Sequence, residues 1–331
     1  MSVFLPDEEV LSVPARMRRR AFKFLPDDQY PVDEWRLIER RYTDRYLARV
    51  ETLLSLSNGY MGMRGTHDEG RPVVERGTFI NGFHETWPIQ HAEDAFGFAT
   101  TGQTIINVPD ARTFHLYVDD EPLYLGTADL QSYERVLDMR EGTLTRDLLW
   151  LTPAGKRVRV RSQRLVSFEH RHVAAFTYEI TVLDHSAPVV LSSHLRNQQD
   201  QREPGGDPRK ARGFTDRVLE PVSNSTDDTR AMLGYRVANS GMTIACGIAH
   251  AIATDTEYSY HTESDEDLGK LVLVVDAEPG VPIRLTKYAT YHTSRSTPVR
   301  QLSDRCRRTL DRAVGSGYDD LVQAQRHFLE D

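Results

Sequence analysis

Two glycine-rich stretches carry the residues best suited to chemistry. LSNGYMGMRGTHDEG, from Leu56 to Gly70, gathers Arg64, His67, Asp68 and Glu69 among four glycines. GTFINGFHETWP, from Gly77 to Pro88, sets Asn81, His84 and Glu85 among Phe79, Phe83 and Trp87. Amides, guanidinium groups and carboxylates take sugar hydroxyls, and an aromatic ring stacks on the C–H face of a sugar. Two readings of the first stretch stand side by side. In one, a loop presents Arg64, Asp68 and Glu69 to a sugar or to another domain. In the other, a hairpin uses its glycines to bring two sheets together, and the spacing favours this second reading. Asn58-Gly59 and Asn81-Gly82 are tight-turn dipeptides. The glycines do not have the arrangement of a dinucleotide or phosphate-loop fingerprint. His84 and Glu85 are adjacent, so a strand places them on opposite faces, which counts against a shared acid–base role.

Strands must position these residues. In VAAFTYEITVLD the set Ala174, Phe176, Tyr178, Ile180 and Val182 is apolar and should face a core, with Val173, Ala175, Thr177, Glu179 and Thr181 on the other phase. RVRVRSQRLVSF places Val158, Val160, Ser162 and Arg164 on one phase. WRLIERRY, MTIACGIAHAI, LVLVVDAEP and IRLTKYATYHT are further strand candidates, bounded by turn signals such as PAGK, DHSAP and EPGVP. Many strands and few helices predict a mainly β chain built as a large antiparallel sandwich. From Thr297 the period becomes helical: Leu302, Cys306, Leu310 and Val314 recur four apart, and after GSG a second helix carries Leu321, Ala324 and Phe328. The expected division is a poorly ordered tail over 1–30, a sandwich over 31–296 and a helical linker over 297–331. QDQREPGGDPRKAR, from Gln199 to Arg212, is expected to be a surface loop.

The totals bound the function. The chain has 331 residues, 39% hydrophobic and 27% charged, with a net charge of -8, which argues against a nucleic-acid surface. The run RMRRR, Arg16 to Arg20, is read as a solvated basic tail. Cys246 and Cys306 are too few and too far apart for a disulfide framework or a thiolate metal site. Neither a membrane helix nor a signal peptide is recognisable, and a reducing cytoplasm is the expected compartment.

The two glycine-rich stretches, followed by TGQTIINVPDARTFHLYVDDEPL and then by RVLDMREGTLTRDLLWLTPAGKRVRVRSQRLVSFEHRHVAAFTYEIT, resemble the N-terminal domain of glycoside hydrolase family 65. The resemblance covers the chain from Asp33 to Thr297. That family includes inverting phosphorylases of maltose, trehalose and kojibiose, and hydrolases of related α-glucosides. The resemblance implies a β-sandwich of the galactose-mutarotase type, then a helical linker, then an (α/α)6 barrel holding the general acid and the phosphate or water site. No residue of this chain matches those catalytic motifs, so no catalytic residue is assigned here and the chain alone is expected to be inactive. The implied partners are an α-glucobiose, the absent barrel and a second copy of the chain. Inorganic phosphate is the implied co-substrate of a phosphorylase, with no metal and no other cofactor. Arg64, Glu69, Asn81 and Glu85 fall in the motifs that the resemblance places at the substrate rim or against the barrel. A stand-alone carbohydrate-binding or protein-interaction module is the alternative. A mutarotase, drawing an acid and a base from His84, His170, His172 and His194, is a third reading by analogy of fold.

Overall fold

The computed structural model describes residues 25–330, except 90, 92, 94, 199–213 and 215. The basic run at Arg16 to Arg20 and all of the Gln199 to Arg212 loop therefore lie outside the described residues, as does most of the 1–30 segment.

Alternation along the strands builds two facing antiparallel sheets. The larger has nine strands, in the spatial order Arg36–Glu39, Asp129–Asp138, Thr143–Leu151, Arg157–Val166, Val173–Val182, Ile283–Ser294, Thr243–Ala253, Arg230–Val237 and Leu219–Asp227. The smaller has five: Tyr258–Ser264, Leu268–Ala277, Ala187–Arg196, Phe114–Val118 and Glu121–Pro122. Their inner faces share one core. Ala174, Phe176, Tyr178, Ile180 and Val182 enter it from the larger sheet, on the phase the sequence predicts, and Val189, Leu191, Leu271 and Leu273 enter from the smaller. β-Branched and aromatic residues dominate because the pleat presents alternate side chains to a half-buried surface.

The chain is mainly antiparallel β with a helical end. Helix α1 (Leu47–Leu53) packs beside the first strand, and helices α2 (Val299–Ser316) and α3 (Tyr318–Glu330) close the chain. Leu302, Cys306 and Leu310 on α2, with Leu321 on α3, cover the outer face of the larger sheet at Val173, Ala175, Ala245 and Tyr288. A smaller core thus lies outside the sandwich, and it explains why Val173 and Ala175 are buried although their phase points outward. Phe328, at helical spacing from Leu321, is 48% exposed and stacks on Phe168 at 5.1 Å.

Several turns gather at one end of the larger sheet: those joining Asp138 to Thr143, Val166 to Val173 and Val237 to Thr243, together with the strand end at Ser294. Gln325 of α3 fixes this end. Its amide donates to the carbonyls of Gly142 and Val166 at 3.3 Å, and its oxygen accepts from the Phe168 N–H at 3.0 Å. The glycine-rich stretches fold onto the same end.

Candidate functional site

Leu56–Ser57, Met61–Met63 and Thr78–Ile80 form a small three-stranded sheet, with Leu56 opposite Met63 and Met61 opposite Ile80. This register sets the two Asn-Gly turns side by side. Gly59 and Gly82 have φ of 82° and 78°, which a side chain at either position would strain. Asn81 is exposed, and its amide donates to the Gly59 carbonyl at 3.2 Å while its N–H meets the Tyr60 carbonyl at 2.8 Å. The Asn58 oxygen accepts from the N–H groups of Tyr60 and Met61 at 3.0 and 2.9 Å. Its Nδ2 donates to the carbonyls of Ser167 and Arg171 at 2.6 and 3.0 Å. One side chain thus closes its own turn and clamps the turn between Val166 and Val173.

Beside that clamp is a cleft of about 500 Å3, walled by residues 169–173 and by Thr309, Arg312, Ala313, Gly315 and Ser316 of α2, with His292 also lining it. Tyr60 meets His172 edge-on at 4.4 Å, and the Arg171 guanidinium lies over the Tyr60 ring at 5.7 Å. His172 stacks on His292 at 4.1 Å with 18° between the rings. The tautomer of His172 follows from its partners. Nδ1 gives its proton to the Tyr291 carbonyl at 2.9 Å, and Nε2 accepts from Arg171 Nε at 3.2 Å. His292 Nε2 is 3.0 Å from the Thr309 hydroxyl. Burial, then the neighbouring His172 and the cations Arg305, Arg312 and Arg171, push His292 down to about 3. Burial also lowers His172, opposed by its bond to the Tyr291 carbonyl. Both imidazoles are therefore neutral near pH 7 and can stack without repulsion. Both nitrogens of His172 are engaged, so this imidazole is not placed to abstract a proton.

The four residues singled out in the sequence do not converge. Asn81 lies with Asn58 and Tyr60 in the clamp bordering the cleft. Arg64 is half-buried just past the end of the Met61–Met63 strand, 3.7 Å from Glu51 and 4.0 Å from Glu75, and its carbonyl accepts from Arg112 at 2.5 Å. Glu69 is 3% exposed; Arg146 grips both its oxygens at 2.7 Å and the Tyr178 hydroxyl donates to it at 2.9 Å. Glu85 is 1% exposed and holds the turn at Asn239 and Ser240, accepting from the Ser240 N–H at 2.8 Å and from Asn239 Nδ2 at 3.1 Å. Both carboxylates act as internal fasteners: Glu69 ties the loop of its motif to the sandwich core, and Glu85 ties the hairpin of His84–Pro88 and Thr101–Ile105 to the sheet end. The four histidines do not converge on one site either. His170 and His172 line the cleft, His84 turns back to the Gly82 carbonyl, and His194 belongs to the smaller sheet, 2.7 Å from the Ser192 hydroxyl. Among the described residues no group of three or more His, Cys, Asp or Glu side chains could hold a metal ion.

A buried ionic lattice under the first glycine-rich stretch went unread in the sequence. Arg135 pairs with Glu39 at 2.9 Å and donates to the Gly65 carbonyl, Arg164 donates to the Thr66 carbonyl, and Ser162 donates to Asp68 at 2.5 Å. Burial works to raise Asp68, but Arg146 and Arg164 outweigh it and hold its carboxyl below the usual range. Burial lowers Arg164 to about 10. The signal was there: Ser162 and Arg164 share the inward phase of Val158 and Val160, so a polar inner-face pair needed partners inside.

Comparison with known proteins fits this geometry. The sequence profile described as glycosyl hydrolase family 65, N-terminal domain, matches residues 37–331. The chain belongs to that family. An uncharacterized glycosyl hydrolase of Mycobacterium tuberculosis is 37% identical over 309 residues, covering 93% of this chain and 39% of its own length. An alpha,alpha-trehalose phosphorylase of Thermoanaerobacter brockii is 30% identical over 304 residues, covering 91% of this chain and 39% of its own length. A solved structure, a putative kojibiose phosphorylase from the human microbiome, superposes with a TM-score of 0.78 at 20% identity over 92% of this chain, and shows the same fold. This family 65 domain spans about 39% of the length of the curated relatives it matches. Among its described residues no helix is long and apolar enough to cross a membrane.

Proposed function

We propose that this domain is the β-sandwich portion of a longer enzyme acting on α-glucosides such as trehalose, kojibiose or maltose, by inverting phosphorolysis or hydrolysis, in the cytoplasm. The observation that carries the reading is the match to a trehalose phosphorylase across nearly the whole chain at 30% identity. The site agrees with it: the cleft offers donors and acceptors for hydroxyls but lacks the opposed acid and nucleophile of an inverting mechanism. The chemistry then belongs to a barrel outside this sequence, with inorganic phosphate as co-substrate in a phosphorylase. The clamp of Asn58, Tyr60 and Asn81 borders that barrel. Arg64, Glu69 and Glu85 serve the rim indirectly, by fixing the loops that carry it.

The test is to incubate the purified chain with trehalose, maltose, kojibiose and nigerose, with and without phosphate, and to assay glucose and glucose 1-phosphate. The expected result is no product until the remaining length of a relative is joined to it. Phosphate-dependent product from the chain alone would sink the proposal. In the joined enzyme, Arg64→Ala should raise KM with little change in kcat, because it loosens the loop without touching the reacting bond. An unchanged KM would remove Arg64 from the rim.

One feature favours the alternative of a stand-alone carbohydrate-binding module. On the hairpin that Glu85 fastens, Phe96 is 109% and Phe98 52% exposed. Measurable affinity for a glucobiose, lost in F96A/F98A and without turnover, would support that reading.

A further inference from the structure

We propose that the cleft between the Val166–Val173 turn and helix α2 is a binding site for a phosphate monoester of sugar size. Cations with no paired carboxylate stand at this cleft. Arg171 lines the cleft from the turn and Arg312 lines it from α2. Arg305 stands two turns before Arg312 on the same side of the helix, and with Arg171 and Arg312 its charge reaches His292; His172 feels Arg171 and Arg305. The acids of α2 are engaged elsewhere: Asp304 with Arg307 at 3.4 Å, and Asp311 with Arg230 at 2.7 Å. Among the described residues, none of Arg171, Arg305 and Arg312 has a carboxylate within ion-pair distance. The one acid lining the cleft is Glu169. Two guanidinium groups lining one concavity, with the exposed Arg305 one heptad back along the same helix, suit an oxyanion, because planar N–H forks match phosphate oxygens.

Size and lining define the rest of the ligand. About 500 Å3 exceeds what a bare oxyanion fills and suits a small polar molecule. Away from the arginines, Glu169 and Ser316 offer an acceptor and a hydroxyl for the hydroxyls of a sugar. The stacked imidazoles, neutral and pinned through Tyr291 and Thr309, make a stiff floor on which those groups converge. The proposal does not depend on any catalytic activity of the chain, so its test stands whether or not the chain turns over a glucoside.

The experiment is isothermal titration of the purified chain at low salt with glucose 6-phosphate, inorganic phosphate and glucose, repeated with R171Q/R312Q. A control, R159Q/R161Q, alters two arginines that grip Asp147 farther along the outer face of the larger sheet and do not line the cleft. The expected result is saturable binding of the sugar phosphate, weaker binding of phosphate, and none of glucose. Affinity should fall on the order of tenfold or more for each guanidinium lost, and remain unchanged in the control. Should R171Q/R312Q not fold, histidine signals in the native chain decide: the imidazole resonances of His172 and His292 should shift on adding glucose 6-phosphate and not on adding glucose. Absence of saturable binding, equal affinity in a folded R171Q/R312Q, glucose binding as tightly as its phosphate, or unmoved histidine signals would each overturn the proposal.

Discussion

Glu69 shows how a motif residue with every appearance of a ligand can be a structural anchor. Its carboxylate is shared between the Arg146 fork and the Tyr178 hydroxyl, and burial makes each partner depend on the others. Glu69→Ala leaves Arg146 as a buried guanidinium with Asp68 as its remaining acid, 3.3 Å away. Breaking one half of a buried ion pair costs about 3–5 kcal/mol. The urea midpoint of E69A should fall accordingly, with no change in slope. A loss under about 1 kcal/mol would show that Asp68 alone satisfies Arg146, and that Glu69 is free to serve a ligand. Residue types and spacing identified the two motifs but not which of their carboxylates face inward. That depends on Arg146, which is 77 positions from Glu69 along the chain. Asn58 and Asn81 were legible as turn residues, whereas Arg171 and His172, which Asn58 and Tyr60 meet, belong to a different turn that only strand register brings close.

At the scale of elements, period decided most of the fold. The alternation of Val173–Val182 and the four-residue recurrence on α2 each identified an element and the face it turns to a core, because an uninterrupted apolar phase marks the side that is packed. What the periods could not show is that the larger sheet is covered on both faces where α2 and α3 cross it. Leu310 belongs to that outer core and is fully buried against the strands. Leu310→Ala should cost about 2–5 kcal/mol through lost apolar burial and a cavity. It should also loosen the wall of the cleft, since Thr309 and Arg312 flank it on the same helix. Urea unfolding gives the first effect, and hydrogen exchange at residues 309–316 gives the second. Faster exchange there, with the strands of the inner core unaffected, is the expected pattern. Uniformly faster exchange across both sheets would mean that the helices and the sandwich unfold as one unit.

The whole molecule carries several ionisable groups in its interior, and their titration makes stability depend on pH in a definite direction. Burial first, with nearby cations adding to it, pushes His194, His250 and His292 down to about 3 from an ordinary value of 6.5. In the unfolded chain these imidazoles take up protons below 6.5, while the folded chain leaves them neutral until about pH 3. The unfolded state therefore binds more protons across that window, and stability is lost as pH falls from 6.5 toward 3. Lys287 extends the trend upward. It is fully buried, its ammonium donates to the carbonyls of Ala111, Thr113 and His194 at 2.6, 3.1 and 3.2 Å, and burial lowers it from 10.5 to about 7, against the pull of Asp110 and Asp68. Between 7 and 10.5 the unfolded lysine is charged and the folded one is losing its proton, so its contribution to stability rises with pH there as well. A series of urea midpoints from pH 4 to pH 8 should climb, with two distinguishable contributors, and should turn down above about pH 9, where the unfolded chain releases protons that the buried Cys246, Cys306, Tyr133 and Tyr178 keep in the fold. His250→Gln should flatten the acid limb, and Lys287→Met should flatten the limb above 7, whatever either change does to stability at a single pH. Each pKa unit between the folded and unfolded values corresponds to about 1.4 kcal/mol at most, so a climb spread over both limbs is large enough to resolve. A Lys287→Met profile parallel to the native one above pH 7 would mean that the ammonium keeps its proton inside the sandwich, held by its carbonyls and by the face of Phe114 at 3.8 Å.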